Sequence, residues 1–95
     1  MKYGINKDVY DKINNIIQKN SEYKFKIFGS RARGDFKNTS DIDIAIFENV
    51  TKEKEYKIRN EFDKLDIIYK IDIVFVDNTI KKELLNSIIR DGVDF

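Results

Sequence analysis

The chain has 95 residues, of which 41% are hydrophobic and 37% are charged. That length allows one domain with one core, which we predict to span residues 1–95, and leaves no room for a separate substrate-binding module. Eighteen basic and seventeen acidic residues give a net charge of +1, so no overall field favours direct binding of nucleic acid. The chain contains neither Cys nor His, which excludes disulfides, thiolate chemistry and the commonest general base. Carboxylates must therefore carry most of any catalysis.

Targeting signals are not evident in the sequence. The first residues lead into a charged helical pattern without the apolar segment of a signal peptide, and no stretch approaches transmembrane length. We therefore expect a cytoplasmic protein that does not bind membranes.

The first half of the chain predicts a helix, a strand and a turn. Apolar side chains recur at helical spacing between residue 6 and about residue 20, with Asn6 available as a cap. Residues 23–28 alternate apolar side chains with lysines and end at Gly29, as a strand with one wetter face would. Residues 30–38 are polar and predict a short helical turn followed by a loop.

The second half predicts two further strands and two helices. Residues 41–47 begin Asp-Ile-Asp-Ile and then become wholly apolar, as in a central strand. Helical spacing predicts a crossover helix over 51–69 and a last helix over 80–90 that Gly92 ends, with a strand over 71–76 between them. A short connection favours antiparallel pairing of the first two strands, and the long helix favours a parallel crossover to the third. We predict an α/β fold with a mixed sheet in the order 1-2-3, packed against helices.

Three acidic residues lie in the predicted strands. Asp41 and Asp43 are two positions apart, so their carboxylates share a face, and Asp72 lies near the start of the neighbouring strand. One Asp at a strand start is typical of a turn, but three among Ile and Val are disfavoured and need a positive partner. Magnesium suits that role because it prefers oxygen ligands from a few carboxylates and substrate phosphates. We therefore predict a metal site at Asp41, Asp43 and Asp72.

A candidate phosphate site follows the first strand. Gly29 lets backbone N–H groups approach an anion, and the Ser30 hydroxyl adds a donor, although Gly-Ser is also common in ordinary turns. Gly29 and Gly34 have the spacing of a P-loop, but Asp35 and Phe36 stand where that loop needs Lys followed by Ser or Thr. We predict a phosphate-binding site at Gly29 and Ser30 that is not a P-loop.

Two arginines flank this bend. Arg31 and Arg33 are each able to pair with triphosphate oxygens, and we include both among the candidate nucleotide-binding residues. Either could equally serve as a structural fork to a carboxylate. The sequence leaves the two roles open.

These motifs together resemble a known family. The string Gly-Ser-Arg-Ala-Arg-Gly at 29–34, then Ser-Asp-Ile-Asp at 40–43, then an apolar strand with Asp72, is similar to the minimal nucleotidyltransferase branch of the polymerase-beta-like superfamily. The resemblance extends over almost the whole chain, although members often have Glu and a final Tyr where this chain has Asp91 and Phe95. It implies a nucleotidyltransferase fold with a three-stranded mixed sheet.

The resemblance also implies an activity and a partner. It implies that Asp41 and Asp43 bind two magnesium ions, that Asp72 joins the catalytic one, and that a nucleotidyl group is transferred from a triphosphate, commonly ATP. Small members of this family are often encoded beside an all-helical HEPN toxin, which they neutralise by adding AMP to a tyrosine. The resemblance therefore implies a protein adenylyltransferase (EC 2.7.7 type) that acts as an antitoxin.

Other interpretations use the same residues differently. The chain could neutralise a HEPN partner by contact alone, with a silent site. Transfer to a small molecule such as an aminoglycoside generally requires a further domain, and nucleic-acid binding has no aromatic platform or basic excess here. So small a sheet also favours a second chain over an exposed edge, as a homodimer or hetero-oligomer.

Overall fold

The computed structural model describes residues 2–47 and 50–95 of the chain. Its helices are α1 (Lys7–Lys19), α2 (Ser30–Arg33), α3 (Lys52–Asp63) and α4 (Lys82–Asp91), and its strands are β1 (Lys24–Phe28), β2 (Ile42–Phe47), β3 (Ile71–Phe75) and β4 (Val93–Asp94). The predicted cap of α1 is confirmed, because Asn6 Oδ1 accepts a hydrogen bond from the Val9 N–H at 2.9 Å. None of the helices in the described part of the chain has the length and apolar character needed to cross a membrane.

The described strands form one mixed sheet in the order β3-β2-β1-β4. The predicted pairings are confirmed: β1 and β2 are antiparallel, and β2 and β3 are parallel. The predicted number of three strands is wrong, because β4 pairs antiparallel with the other edge of β1. A strand of two residues is too short to show alternation in a sequence, so its pattern gave no signal. The α/β class of the prediction is unaffected.

The crossover helix is shorter than the sequence predicts. The prediction ran to residue 69, whereas α3 ends at Asp63 with Lys64 as its cap. Leu65 and Tyr69, which extend the helical spacing, instead pack separately against the core from the connecting segment. That segment carries the chain back to the sheet edge, where the Lys70 carbonyl accepts a hydrogen bond from the Ile42 N–H at 2.8 Å.

The two faces of the sheet are packed differently. One face presents Ile27, Ile42, Ile44 and Ile46, each 0% exposed, to the apolar sides of α1 and α3. The other face presents a smaller apolar group around Ala45, which packs against Ile88 of α4. Because side chains alternate along a strand, the odd-numbered positions of β2 face α4. The predicted carboxylate of β2 therefore lies on this second, less covered face.

Candidate active site

The parallel pairing of β2 with β3 places two of the predicted carboxylates side by side. Asp43 and Asp72 are register partners, so their Cα atoms are separated by about one strand spacing, roughly 4.8 Å, and their side chains share a face. Asp41 precedes β2 by one residue. All three residues are half-buried. The fold thus brings Asp41, Asp43 and Asp72 to one end of the central strands.

The electrostatics of Asp43 show that these groups influence one another. Burial, together with the negative charges of Asp72 and Asp41, raises the pKa of Asp43 from 3.8 to about 6. The positive charge of Arg33 acts in the opposite sense on this pKa. A cation at this position would relieve the repulsion among the carboxylates.

The donor atoms of the site suit magnesium. Within residues 2–47 and 50–95, no three acidic, His or Cys side chains are clustered tightly enough to form a complete metal-binding group. Magnesium usually takes only one or two ligands from protein carboxylates and the rest from water and substrate phosphates, so a complete protein cage is not required. Asp43 and Asp72 would hold the ion, with Asp41 beside them.

Gly29 links the phosphate-binding prediction to the carboxylates. It follows the strand residue Phe28, which pairs with Asp43 across β1 and β2. Its backbone has φ of 74° and ψ of −157°, a conformation that L side chains rarely adopt. A Cβ atom at position 29 would also overlap the Asp43 Oδ2 atom. Glycine is therefore required for the close approach to Asp43, and the next residue, Ser30, begins α2.

Arg31 lies inside the protein rather than at the site. Its side chain is 2% exposed, between the rings of Phe36 and Tyr69 at 5.1 and 4.9 Å from their centroids. Its guanidinium donates to backbone carbonyls, including Tyr3 at 3.0 Å and Ser40 at 2.9 Å. These bonds fix the loop that leads into Asp41 and the segment before α1. Contact between Arg31 and a nucleotide, as we predicted, would require this network to break.

Arg33 lies on the exposed side of α2. Its side chain is 41% exposed, and it pairs with Asp35 at 3.2 Å and with Asp91 at 3.0 Å. Its positive charge lowers the pKa of Asp43 against the larger effects of burial and of the neighbouring carboxylates. Of the two arginines that sequence reasoning treated alike, Arg31 is buried within the fold and Arg33 is exposed.

Asp91 is a residue of this region that sequence reasoning did not select. Hydrogen bonds from Arg90 and Arg33 hold the pKa of Asp91 at about 2. The signal available in the sequence was an acidic residue directly after the predicted helix, near the end where the helix dipole disfavours a negative charge.

A separate cavity of about 410 Å³ lies between α1 and α3. Three lysines line it, Lys12, Lys19 and Lys64, and the other lining residues are Asn15, Ile16, Glu61 and Leu65. This cavity is on the face of the sheet opposite to Asp43, and none of the predicted site residues lines it. The chemistry-bearing groups therefore point to the α4 face as the candidate active site.

The fold and the site define a nucleotidyltransferase domain. Residues 11–94 match the sequence model of the family described as polymerase beta, nucleotidyltransferase. The chain therefore belongs to the polymerase-beta nucleotidyltransferase family, and the predicted resemblance and enzyme class are confirmed. No curated protein matched the sequence.

Several solved structures share the fold. A toxin–antitoxin crystallised with AMP-PNP has a chain that is 21% identical, with a TM-score of 0.65, over 88% of this chain and 69% of that one. A mutant of the toxin–antitoxin MntA-HpeT is 19% identical, with a TM-score of 0.63, over 87% and 68%. A protein from Sulfolobus solfataricus described as a nucleotidyltransferase is 22% identical, with a TM-score of 0.52, over 90% and 77%. At these identities the likeness establishes the fold alone.

Proposed function

We propose that this chain, as a single domain, is a magnesium-dependent adenylyltransferase that transfers AMP from ATP to a partner protein. The observation that carries the proposal is the pairing of Asp43 with Asp72 beside Gly29, in a member of a nucleotidyltransferase family. Carboxylates that repel one another next to a glycine bend form a site suited to a divalent cation and a triphosphate.

The reaction is an in-line displacement at the α-phosphorus of ATP. A hydroxyl oxygen of the acceptor forms a bond to that phosphorus while the bond to the bridging oxygen breaks, and pyrophosphate leaves. Gly29 and Ser30 bind the triphosphate, and Asp72 accepts the hydroxyl proton. Two bound magnesium ions, held by Asp41, Asp43 and Asp72, would supply charge neutralisation for the attacking and leaving oxygens.

A partner protein is the acceptor that best fits the chain. Two neighbours in fold are components of toxin–antitoxin structures. We propose that the acceptor is a tyrosine of a helical HEPN-type toxin in the cytoplasm and that AMP transfer neutralises it. The chain is then the antitoxin of the pair.

The proposal is tested by incubating the purified chain with labelled ATP, magnesium and a helical HEPN-type toxin. We expect label on a tyrosine of that protein, and none when Asp41 and Asp43 are both replaced by Ala. Asp63→Ala is the matched control, because Asp63 is an exposed carboxylate at the end of α3. Equal labelling of the partner by the wild type and by the double variant would contradict the proposal.

A second function is neutralisation of the toxin by contact alone. One observation favours it: among the described residues, no three candidate ligands are already gathered into a metal-binding group. This alternative predicts that the Asp41→Ala/Asp43→Ala variant protects cells from the toxin as fully as the wild type. Loss of protection together with retained complex formation would support the enzyme instead.

A further inference from the structure

Asp91 occupies a position that helix electrostatics disfavours. The last turn of a helix carries partial negative charge from its unpaired carbonyl groups, so a carboxylate there is repelled. Asp91 is the final residue of α4, and its side chain is only 8% exposed. A carboxylate covered to that extent needs cationic partners. The chain provides two, Arg90 and Arg33.

The two partners do different things. Arg90 precedes Asp91 in sequence and donates two hydrogen bonds to its carboxylate, from Nε and Nη2, each of 3.0 Å. Arg33 lies 58 positions away on α2, and its Nη1 donates to Asp91 Oδ2 at 3.0 Å. Arg90 alone gives Asp91 a local countercharge. The bond to Arg33 ties the end of α4 to the short helix that begins beside Gly29.

Arg33 is close to the triphosphate end of the site. Its backbone N–H donates to the Gly29 carbonyl at 3.1 Å, so it stands one helical turn beyond the bend that the Asp43 carboxylate touches. Its Nε donates a hydrogen bond to Asp35, and its Nη1 donates one to Asp91. The third nitrogen, Nη2, is not engaged by any of the described residues. An arginine fixed by two carboxylates still has a donor for a phosphate oxygen.

We propose that Asp91 is a positioning residue for nucleotide binding, which holds the Arg33 guanidinium beside Gly29 so that it meets the phosphates of a nucleoside triphosphate. The inference rests on the proposed function, since it places the triphosphate at Gly29 and Ser30. Asp91 does not itself contact the phosphates, whose negative charge would repel it. Its contribution is to restrict a long, flexible side chain before the ligand arrives.

Binding of a triphosphate that cannot react provides the test. α,β-Methylene ATP has a carbon bridge at the bond that nucleotidyl transfer breaks, so titration calorimetry with magnesium measures affinity alone. We expect Asp91→Asn to weaken binding about tenfold, which corresponds to about 1.4 kcal/mol. Asp63→Asn is the matched control: it removes an exposed carboxylate at the end of α3, away from Arg33, and we expect less than a twofold change.

A double-mutant cycle separates positioning from a merely structural role. If Asp91 acts through Arg33, Asp91→Asn has less than a twofold effect in an Arg33→Gln background, where competition assays up to millimolar ligand still measure the weakened affinity. Arg90→Gln leaves the bond between Asp91 and Arg33 in place and should change affinity less than threefold. Asp91→Glu keeps the negative charge and with it the ion pair to Arg33. This variant should therefore bind α,β-methylene ATP at least threefold more tightly than Asp91→Asn.

The outcomes distinguish this inference from the proposed function. If the wild type does not bind α,β-methylene ATP with magnesium, the proposed function fails. If the wild type binds and Asp91→Asn binds equally well or more tightly, only the inference fails. The inference is also overturned if Asp91→Asn weakens binding as much without Arg33 as with it, or if Asp91→Glu is as weak as Asp91→Asn.

Discussion

The two faces of the central strand β2 show how one short segment serves both folding and chemistry. Ile42, Ile44 and Ile46 on one face are completely buried beneath α1 and α3. Asp43 on the other face is half-buried beside Asp72, with a pKa raised to about 6. The first face gains stability from burial, whereas the second keeps charges close together that repel one another. The difference shows that neighbouring positions of one strand can contribute separately, one to the stability of the fold and the next to the candidate site.

The same division appears in α2 over a distance of two residues. Arg31 is buried and bonded to backbone carbonyls, whereas Arg33 is exposed towards the carboxylates. One arginine serves the fold and the other the site. Substitutions at these four positions, Asp43, Ile44, Arg31 and Arg33, should therefore separate stability from activity.

The largest expected effect is on catalysis at the charged face. Asp43→Asn should lower kcat by about 1,000-fold or more, because it removes a ligand of an ion whose electrostatic contribution is several kcal/mol. Pyrophosphate release in the presence of the acceptor measures it. The thermal midpoint should not fall, and Asp63→Asn should leave the rate unchanged. A variant that retains a tenth of the wild-type rate would contradict the assignment of Asp43.

The apolar face should respond in the opposite way. Ile44→Ala removes a side chain that is 0% exposed and should destabilise the fold by about 2–5 kcal/mol. Urea unfolding followed by circular dichroism measures the change. The fraction that remains folded should keep the triphosphate affinity of the wild type. Ile68→Ala, at a position 90% exposed, is the control and should be neutral.

The two arginines sharpen the comparison within α2. Arg31→Met should cost about 3 kcal/mol of stability, because it leaves several buried carbonyl groups without their donor. Arg33→Met should cost less than about 1 kcal/mol, since its pair with Asp35 is solvent-exposed and Arg90 still pairs with Asp91. It should weaken triphosphate binding instead. Parallel urea titrations and calorimetry of both variants test this. Similar stability losses in the two would remove the distinction.

The smallest effect expected is the pH dependence of stability without metal. The folded-state pKa of Asp43 is raised from 3.8 to about 6, so the folded protein binds this proton more tightly than the unfolded chain. The stabilisation is complete below pH 3.8 and is lost as the pH rises through 6. Allowing for solvent screening of a half-exposed group, we expect a loss of about 1–2 kcal/mol.

Urea midpoints measured between pH 4 and 7 in EDTA test this dependence. Asp43→Asn should flatten the profile in that range, and magnesium with a triphosphate should reverse the loss for the wild type. If the urea midpoints of the wild type and of Asp43→Asn change with pH in the same way, groups other than Asp43 control the pH dependence of stability.

Much of the candidate site was readable from local patterns. The alternation of Asp and Ile predicted a strand over 41–47, which holds for Asp43, whereas Asp41 lies one residue before β2. The bend at Gly29 and Ser30 was evident from its position after an apolar run. The lengths of the connections also predicted antiparallel and parallel pairing correctly. These features depend on neighbours within a few residues, or on the length of the chain between two strands.

The remaining features depend on partners far away in sequence. The register that sets Asp43 beside Asp72 was decided when β2 and β3 packed together, and β4 formed because the end of α4 returns the chain to the free edge of β1. The end of α3 at Asp63 was decided by how the following segment reaches β3.

Arg31 and Arg33 give the clearest division between the two levels. The sequence by itself determined that two cations follow the glycine bend, since their types and spacing are covalent facts. Only the tertiary structure decided that Arg31 turns inward to the carbonyls of a loop and that Arg33 turns outward to Asp91. The physical reason is that a long, flexible cation is directed by the groups that surround it, and those groups are assembled only when the chain folds.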